Sequence, residues 1–153
     1  MSDILELAKR DDRPFRLQEM MAQLPQAELP TFHHFADGMY AREVHRPAGC
    51  LIVGKIHRRE HFYIVTKGKV AVLMEGEAKI YEAPCVLISK PGTKRVVYAI
   101  EDSVCLTVHR TSLVDLDQIE EELIEPEGMR LFDSSNKIIA QAQEAICRLS
   151  QQR

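Results

Sequence analysis

Gly54-Lys55-Ile56-His57-Arg58-Arg59-Glu60-His61-Phe62-Tyr63-Ile64-Val65-Thr66-Lys67-Gly68 sets two histidines around a charged turn and follows them with an alternating apolar run. Successive side chains on a strand point to opposite faces, so Lys55 and His57 share one face and Ile56 the other. With a turn at Arg58-Arg59-Glu60 and a strand resuming after it, His61, Tyr63 and Val65 share the interior face. Two imidazoles from adjoining strands then converge. Neutral imidazole ligates Zn, Fe, Ni or Cu, but two ligands leave a site incomplete. His109, at the end of the SVCLTVH run, is the candidate third ligand, with a hydrogen-bonded core position as its alternative.

The composition on either side is that of a sheet. From about residue 38 to 110, Val, Ile, Tyr and Thr gather in short runs punctuated by Gly and Pro, a pattern of six to eight strands in a β-sandwich or small barrel. Residues 1–30 read as a helical segment, since Leu17, Met20, Met21 and Leu24 recur at helical spacing, Pro14 suits a first turn and Pro25 forces a stop. Residues 31–112 are the β unit, and residues 113–153 read as a helical pair. Asp115 with Gln118 is a candidate capping box, and Leu116, Ile119 and Leu123 make one face. After the break at Glu125-Pro126-Glu127-Gly128, Ser134 or Ser135 can cap a last helix with Ile138, Ile139, Ala142, Ile146 and Leu149 on one side. His33 and His34 are expected to precede the sheet in a surface or packing role, and His45 is open between pocket and surface.

The span from Gly54 to Gly68 resembles the first motif of the cupin superfamily, which runs Gly, five residues, His-x-His, three or four residues, Glu, six residues, Gly. Counted back from Gly68, His61 stands at the glutamate position, His57 at the second histidine and Lys55 at the first. Lys90-Pro91-Gly92-Thr93-Lys94-Arg95 is similar to the second motif, Pro-x-Gly-x-x-His, with Arg95 in place of the histidine. The resemblance covers roughly residues 38–110 and implies a mainly β fold, a single jelly-roll barrel of cupin type flanked by helices. The usual ligand positions hold Lys, His, His and Arg, so it implies the fold more than the metal. GKIHRREH, KPGTKR and VHRT together also resemble short cupin-like proteins of tailed phages and prophages, most of them without an assigned activity.

Two fixed cations repel a metal dication in a low-dielectric pocket unless a negative ligand intervenes, whereas an anion satisfies every group at once. Lys55, His57, His61, Tyr63 and Arg95 are therefore candidate ligands for an anionic small molecule such as a nucleotide or sugar phosphate, with Tyr98 as a further stacking candidate. In a phage setting such a protein would sequester a host signal. The second reading is an enzyme of oxygenase or isomerase type, with Zn, Fe or Ni on His57, His61 and His109 and Glu60 moving protons. Glu60 has a plainer alternative as a turn residue paired with Arg58. The third reading is a phage structural or interaction protein with a vestigial pocket. Lys55 and Arg95 can also simply pair with Glu60, Glu101 or Asp102.

The chain has 153 residues, 45% of them hydrophobic, with 20 basic and 23 acidic side chains for a net charge of -3. That length suits one domain, and no apolar run approaches the ~18 residues of a membrane span. The near-neutral balance argues against bulk nucleic-acid binding. Seven carboxylates lie between Asp115 and Glu127, read as a solvated helix face, and the remainder is net positive, 20 bases against 16 acids. GxSxG, Walker, GxGxxG and HExxH patterns are missing. Cys50, Cys85, Cys105 and Cys147 are too dispersed for a metal knuckle and are expected as free thiols in a reducing cytoplasm; the charged first residues carry no export signal. The apolar helix faces exceed what one small barrel must cover, so a homodimer or higher homo-oligomer is expected.

Overall fold

Among residues 12–127 and 130–140, which the computed structural model describes, two helices and nine strands follow one another. They are α1 (Arg13–Met21), β1 (Thr31–Ala36), β2 (Met39–Arg46), β3 (Leu51–Val53), β4 (His61–Lys67), β5 (Lys69–Met74), β6 (Glu77–Glu82), β7 (Cys85–Ser89), β8 (Val96–Ala99), β9 (Ser103–Arg110) and α2 (Leu116–Leu123). The strands form two sheets in the orders β1-β2-β9-β4-β7 and β3-β8-β5-β6, and every pairing is antiparallel. This is the expected jelly-roll, as a sandwich of two sheets.

Alternation builds the core. In β4, His61, Tyr63 and Val65 are buried, and Tyr63 and Val65 meet Val70 and Val72 of β5, Val97 of β8 and Cys105 of β9 in a cluster drawn from both sheets. Each such apolar side chain contributes about 1.5–3 kcal/mol by leaving water. β4 passes into β5 at Gly68, whose φ of 79° is left-handed. A Cβ at Gly68 would run into the Asp102 carbonyl oxygen and the Ser103 side chain, so the last glycine of the first motif answers to two constraints at once.

Several expectations at the flanks are revised. His33 and His34 lie within β1, paired with Arg42 and Ala41 of β2, rather than ahead of the sheet. β3 ends at Val53, so no strand carries Lys55 and His57; the loop after it turns inward, with Ile56 buried. α1 stops at Met21 before Pro25 is reached, and Met20 and Leu24 are 67% and 52% exposed, so the apolar stripe covers a neighbour only in part. α2 follows its reading: the Asp115 side chain accepts from the Gln118 backbone N–H at 3.0 Å, and Ile119 and Leu123 are buried. Among the described residues, Ser134 and Ser135 cap no helix. Asp133 Oδ1 accepts the N–H groups of Ser135 and Lys137, both at 2.9 Å, and the resulting turn bridges Phe132 to Ile138. Ala142, Ile146, Cys147 and Leu149 lie outside the described residues, as do residues 1–11. No helix among the described residues is long and apolar enough to cross a membrane.

Candidate functional site

β2, β9 and β4 lie side by side, and their inward residues stack in layers. Tyr40 pairs with His109, Arg42 with Thr107 and Val44 with Cys105; across β9, Tyr63 pairs with Thr107 and Val65 with Cys105. One step beyond the Phe62–Val108 pair, the same register sets His61 opposite His109. The wall therefore carries a histidine layer, an arginine and tyrosine layer beneath it, and an apolar layer below that. Two imidazoles meet because two strands are in register.

His57 arrives from the loop after β3 and is held from both sides. Its carbonyl accepts from the Gly92 N–H at 2.9 Å, while Arg58 N–H donates to the Leu123 carbonyl at 2.8 Å and Glu125 N–H to the Ile56 carbonyl at 2.9 Å. The turn of the second motif and the end of α2 thus place the ring. The His57 ring centroid is 4.3 Å from that of His61 and 5.0 Å from that of His109, and His61 and His109 are 4.5 Å apart. One ligand atom from each lies within 4.8 Å of the others.

All three imidazoles are held neutral. Burial first, then the neighbouring histidines, Arg95 and Arg42, push His57 down to about 2; burial, His61, Arg42 and Arg95 push His109 down to about 3. His61 is lowered as well, chiefly by burial. Its Nδ1–H donates to the Arg59 carbonyl at 3.1 Å, which leaves Nε2 as a lone pair, buried and without a partner. Three neutral imidazoles with one lone pair already orphaned are the donor set of a three-histidine metal centre, and Zn, Fe and Ni all accept such ligands.

Below the histidines, Tyr63 organises two guanidiniums. Arg46 Nη1 donates to the Tyr63 hydroxyl at 2.8 Å, and the Arg95 guanidinium lies 4.1 Å over the Tyr63 ring. Burial pushes the Tyr63 hydroxyl up to about 12, so it stays protonated. Arg46 and Arg95 are 9% and 7% exposed, and Arg46 Nε and Arg95 Nη1 have no partner. Arg42 lines the same space. Among the described residues no carboxylate lies within 4.0 Å of any of these three guanidiniums. The cavity over them measures about 980 Å³.

The mouth differs from the floor. Lys55 is ion-paired with Glu120, which also accepts from Arg130 Nη2 at 2.8 Å; Glu122 accepts from Arg59 at 3.2 Å and from Thr111 at 2.6 Å. Glu127 is ion-paired with Lys94 and accepts from Gln18 at 2.8 Å. The acidic run is therefore no merely solvated face: Glu120, Glu122 and Glu127 are ion-paired with Lys55, Arg130, Arg59 and Lys94. Lys55, expected to neutralise a ligand, lines the cavity with its charge already met by Glu120.

The other candidates fall outside. Glu60 is exposed and does not line the cavity. Tyr98 is 45% exposed, on the opposite face of β8 from Val97. His45 points outward to Glu43 at 2.6 Å. Cys50, Cys85 and Cys105 are free thiols. Arg42 and Arg46 escaped the sequence reading, although the alternation of Tyr40, Arg42, Val44 and Arg46 along one strand face carries the signal.

No protein-family model and no curated protein matches the chain. Solved structures do. A cupin superfamily protein from Desulfitobacterium hafniense superimposes with a TM-score of 0.50 at 10% identity, covering 60% of this chain and 88% of that one. KdgF from Halomonas sp. gives 0.51 at 16% identity over 57% of this chain and 84% of its own. An RmlC-like cupin from Shewanella frigidimarina gives 0.50 at 16% identity over 57% and 79%. At these identities the likeness is one of fold: the chain has the cupin fold, with three histidines gathered inside it.

Proposed function

We propose that this is a small-molecule-binding protein whose cavity holds a divalent metal, Zn, Fe or Ni, on His57, His61 and His109 and takes an anionic ligand beside it. The observation that carries the reading is His61 Nε2, a buried lone pair fixed by its own tautomer and left without a partner between two other neutral imidazoles. Arg95 and Arg46, held by Tyr63, support the anionic half, because they present donors that no described carboxylate receives. A metal bound there would supply Lewis-acid polarisation of a ligand oxygen. The chain's own contribution is to bind and orient: Tyr63 holds the two guanidiniums, and Val44 and Val97 give the cavity apolar wall. The enzyme reading assigns proton transfer to Glu60, which does not line the cavity. Binding is the reading that needs no further residue.

Native mass spectrometry of the purified protein, paired with elemental analysis, tests this. Stoichiometric metal that disappears in His57→Ala is the expected result; a protein that binds none of the three metals after reconstitution overturns it. The same spectra read the assembly. We propose a homodimer, supported by the outer face of β4 and β7, where Phe62, Val86 and Ile88 are 49%, 61% and 60% exposed beside an edge strand, Cys85–Ser89, that has no charge to deter pairing with a second copy.

A further inference from the structure

Four buried side-chain polar atoms among the described residues have no hydrogen-bond partner. Arg46 Nε, Arg95 Nη1 and Gln18 Oε1 belong to residues that line the cavity of about 980 Å³, and the fourth, His61 Nε2, belongs to a ring 4.5 Å from that of His109, which lines it too. Two of the four are donors on permanent cations, and two are acceptors. Leaving a buried donor or acceptor unpaired is costly, so the pattern is that of a site made for an occupant with both characters. An anion alone satisfies the arginines and leaves the His61 lone pair bare. A metal alone satisfies His61 and adds two positive charges to a cavity lined by Arg42, Arg46 and Arg95, with no described carboxylate within 4.0 Å of those guanidiniums to offset them.

We infer that Arg42, Arg46 and Arg95 form a subsite for a small dianion, a phosphate monoester or a dicarboxylate, and that dianion and metal bind the cavity as a linked pair, each raising the other's affinity. The inference rests on the metal reading above and adds to it the ligand's charge and the coupling. The arginines are pre-set for the task. Tyr63 fixes Arg46 by a hydrogen bond and Arg95 by stacking, so neither must be ordered when the ligand arrives. Arg42 completes the set from the same face of β2, two residues before Val44 and four before Arg46. Arg42 and Arg95 line the cavity together with His57 and His109, so these charges and the metal position share one space. The cavity of about 980 Å³ is large enough for an organic body attached to the charged group, and Val44, Val97 and Leu116 offer it apolar wall.

The test measures Zn2+ affinity of the full chain by chelator competition in chloride buffer, and again with inorganic phosphate or malonate at matched ionic strength. Either anion should tighten Zn2+ by about tenfold or more, within the usual range of coupling between sites. Complexation of Zn2+ by the anion in solution works against this result, so tightening is not an artefact of it. Arg95→Gln should abolish the anion effect and bind Zn2+ more tightly than the wild type in chloride alone, because a repelling charge is gone. Arg42→Gln, whose side chain has no hydrogen bond in the structure to lose, should do the same if Arg95→Gln fails to fold. Phosphate alone acting identifies a phosphate monoester, and malonate alone a dicarboxylate. Zn2+ binding that ignores both anions, or an anion effect intact in both variants, overturns the inference while leaving the metal reading in place. No Zn2+ binding in any buffer overturns the linked pair and counts against the metal reading, and a thermal shift with phosphate or malonate then reports separately on the arginine subsite.

Discussion

Lowering the pH of the metal-free protein from 7.5 to 5.5 should cost it about 3 kcal/mol of stability. In the unfolded chain a histidine titrates near 6.5, whereas the fold pushes His57 down to about 2 and His109 to about 3. Across the window the unfolded state takes up a proton on each and the native state takes up neither. The unfolded state therefore binds more protons, and stability falls as pH falls. Over these two pH units the unfolded titration amounts to about 1.4 kcal/mol for each of the two histidines. His61 and His33, also lowered and chiefly by burial, act in the same direction. The depressed carboxyls of Glu28, Glu43 and Glu122 titrate below the window and contribute nothing inside it. Urea melts of chelator-treated protein at constant ionic strength measure the loss, with an unchanged slope confirming that one transition is followed throughout. His57→Gln and His109→Gln should each remove about 1.4 kcal/mol of the pH dependence. A stability that is flat or rises between pH 7.5 and 5.5, or a dependence the same in wild type and variants, would refute the claim that these imidazoles are buried neutral.

Tyr63→Phe keeps the ring beneath Arg95 but deletes the acceptor of Arg46; with that cation buried, a loss of about 1–3 kcal/mol is expected in the same melts. Gly68→Ala should cost at least about 1–3 kcal/mol, since φ of 79° and contact with the Asp102 carbonyl oppose any Cβ, whereas Gly38→Ala, with open space around it, should show only the backbone strain. Glu120→Gln should change stability by no more than about 1 kcal/mol, because its ion pairs are at the rim, yet it should strengthen phosphate binding measured by calorimetry by releasing Lys55 and Arg130.

The fold was legible where the signal is local. Period-two alternation placed His61, Tyr63 and Val65 on one buried face, and the glycine and proline spacing from Gly54 to Gly92 matched a jelly-roll. Asp115 with Gln118 located α2 for the same reason, since a cap is read within four residues. The site was legible only in part, because its layers are set by register between strands far apart in sequence. Nothing near His61 says that His109 lies opposite, and nothing near Arg95 says that Tyr63 lies beneath it. Arg46 was missed although its alternation with Val44 is plain, because a basic residue before Pro47 reads as surface unless one knows that Tyr63 waits to receive it. The Ser134 region failed differently. A serine before apolar residues is a helix cap on average, but Asp133 competes for the same N–H groups and, with Asn136 at a φ of 66°, closes a turn instead.

The net charge of -3 now divides by depth. Glu120 is bound to Lys55 and Arg130, which line the cavity, while Glu122 holds Arg59 and Glu127 holds the buried Lys94, two cations that do not line it; the exposed pairs are screened by water to about 1 kcal/mol or less each. Arg42, Arg46 and Arg95 lie below, where screening is weak and no described carboxylate reaches them. On the proposed reading, Glu120 meets the charges of Lys55 and Arg130, so the interaction left for an anion is with Arg42, Arg46 and Arg95 inside the cavity, whose volume of about 980 Å³ has room for a small dianion. Depth in the cavity is then the expected criterion for binding, and the Zn2+ titrations with phosphate and malonate measure it.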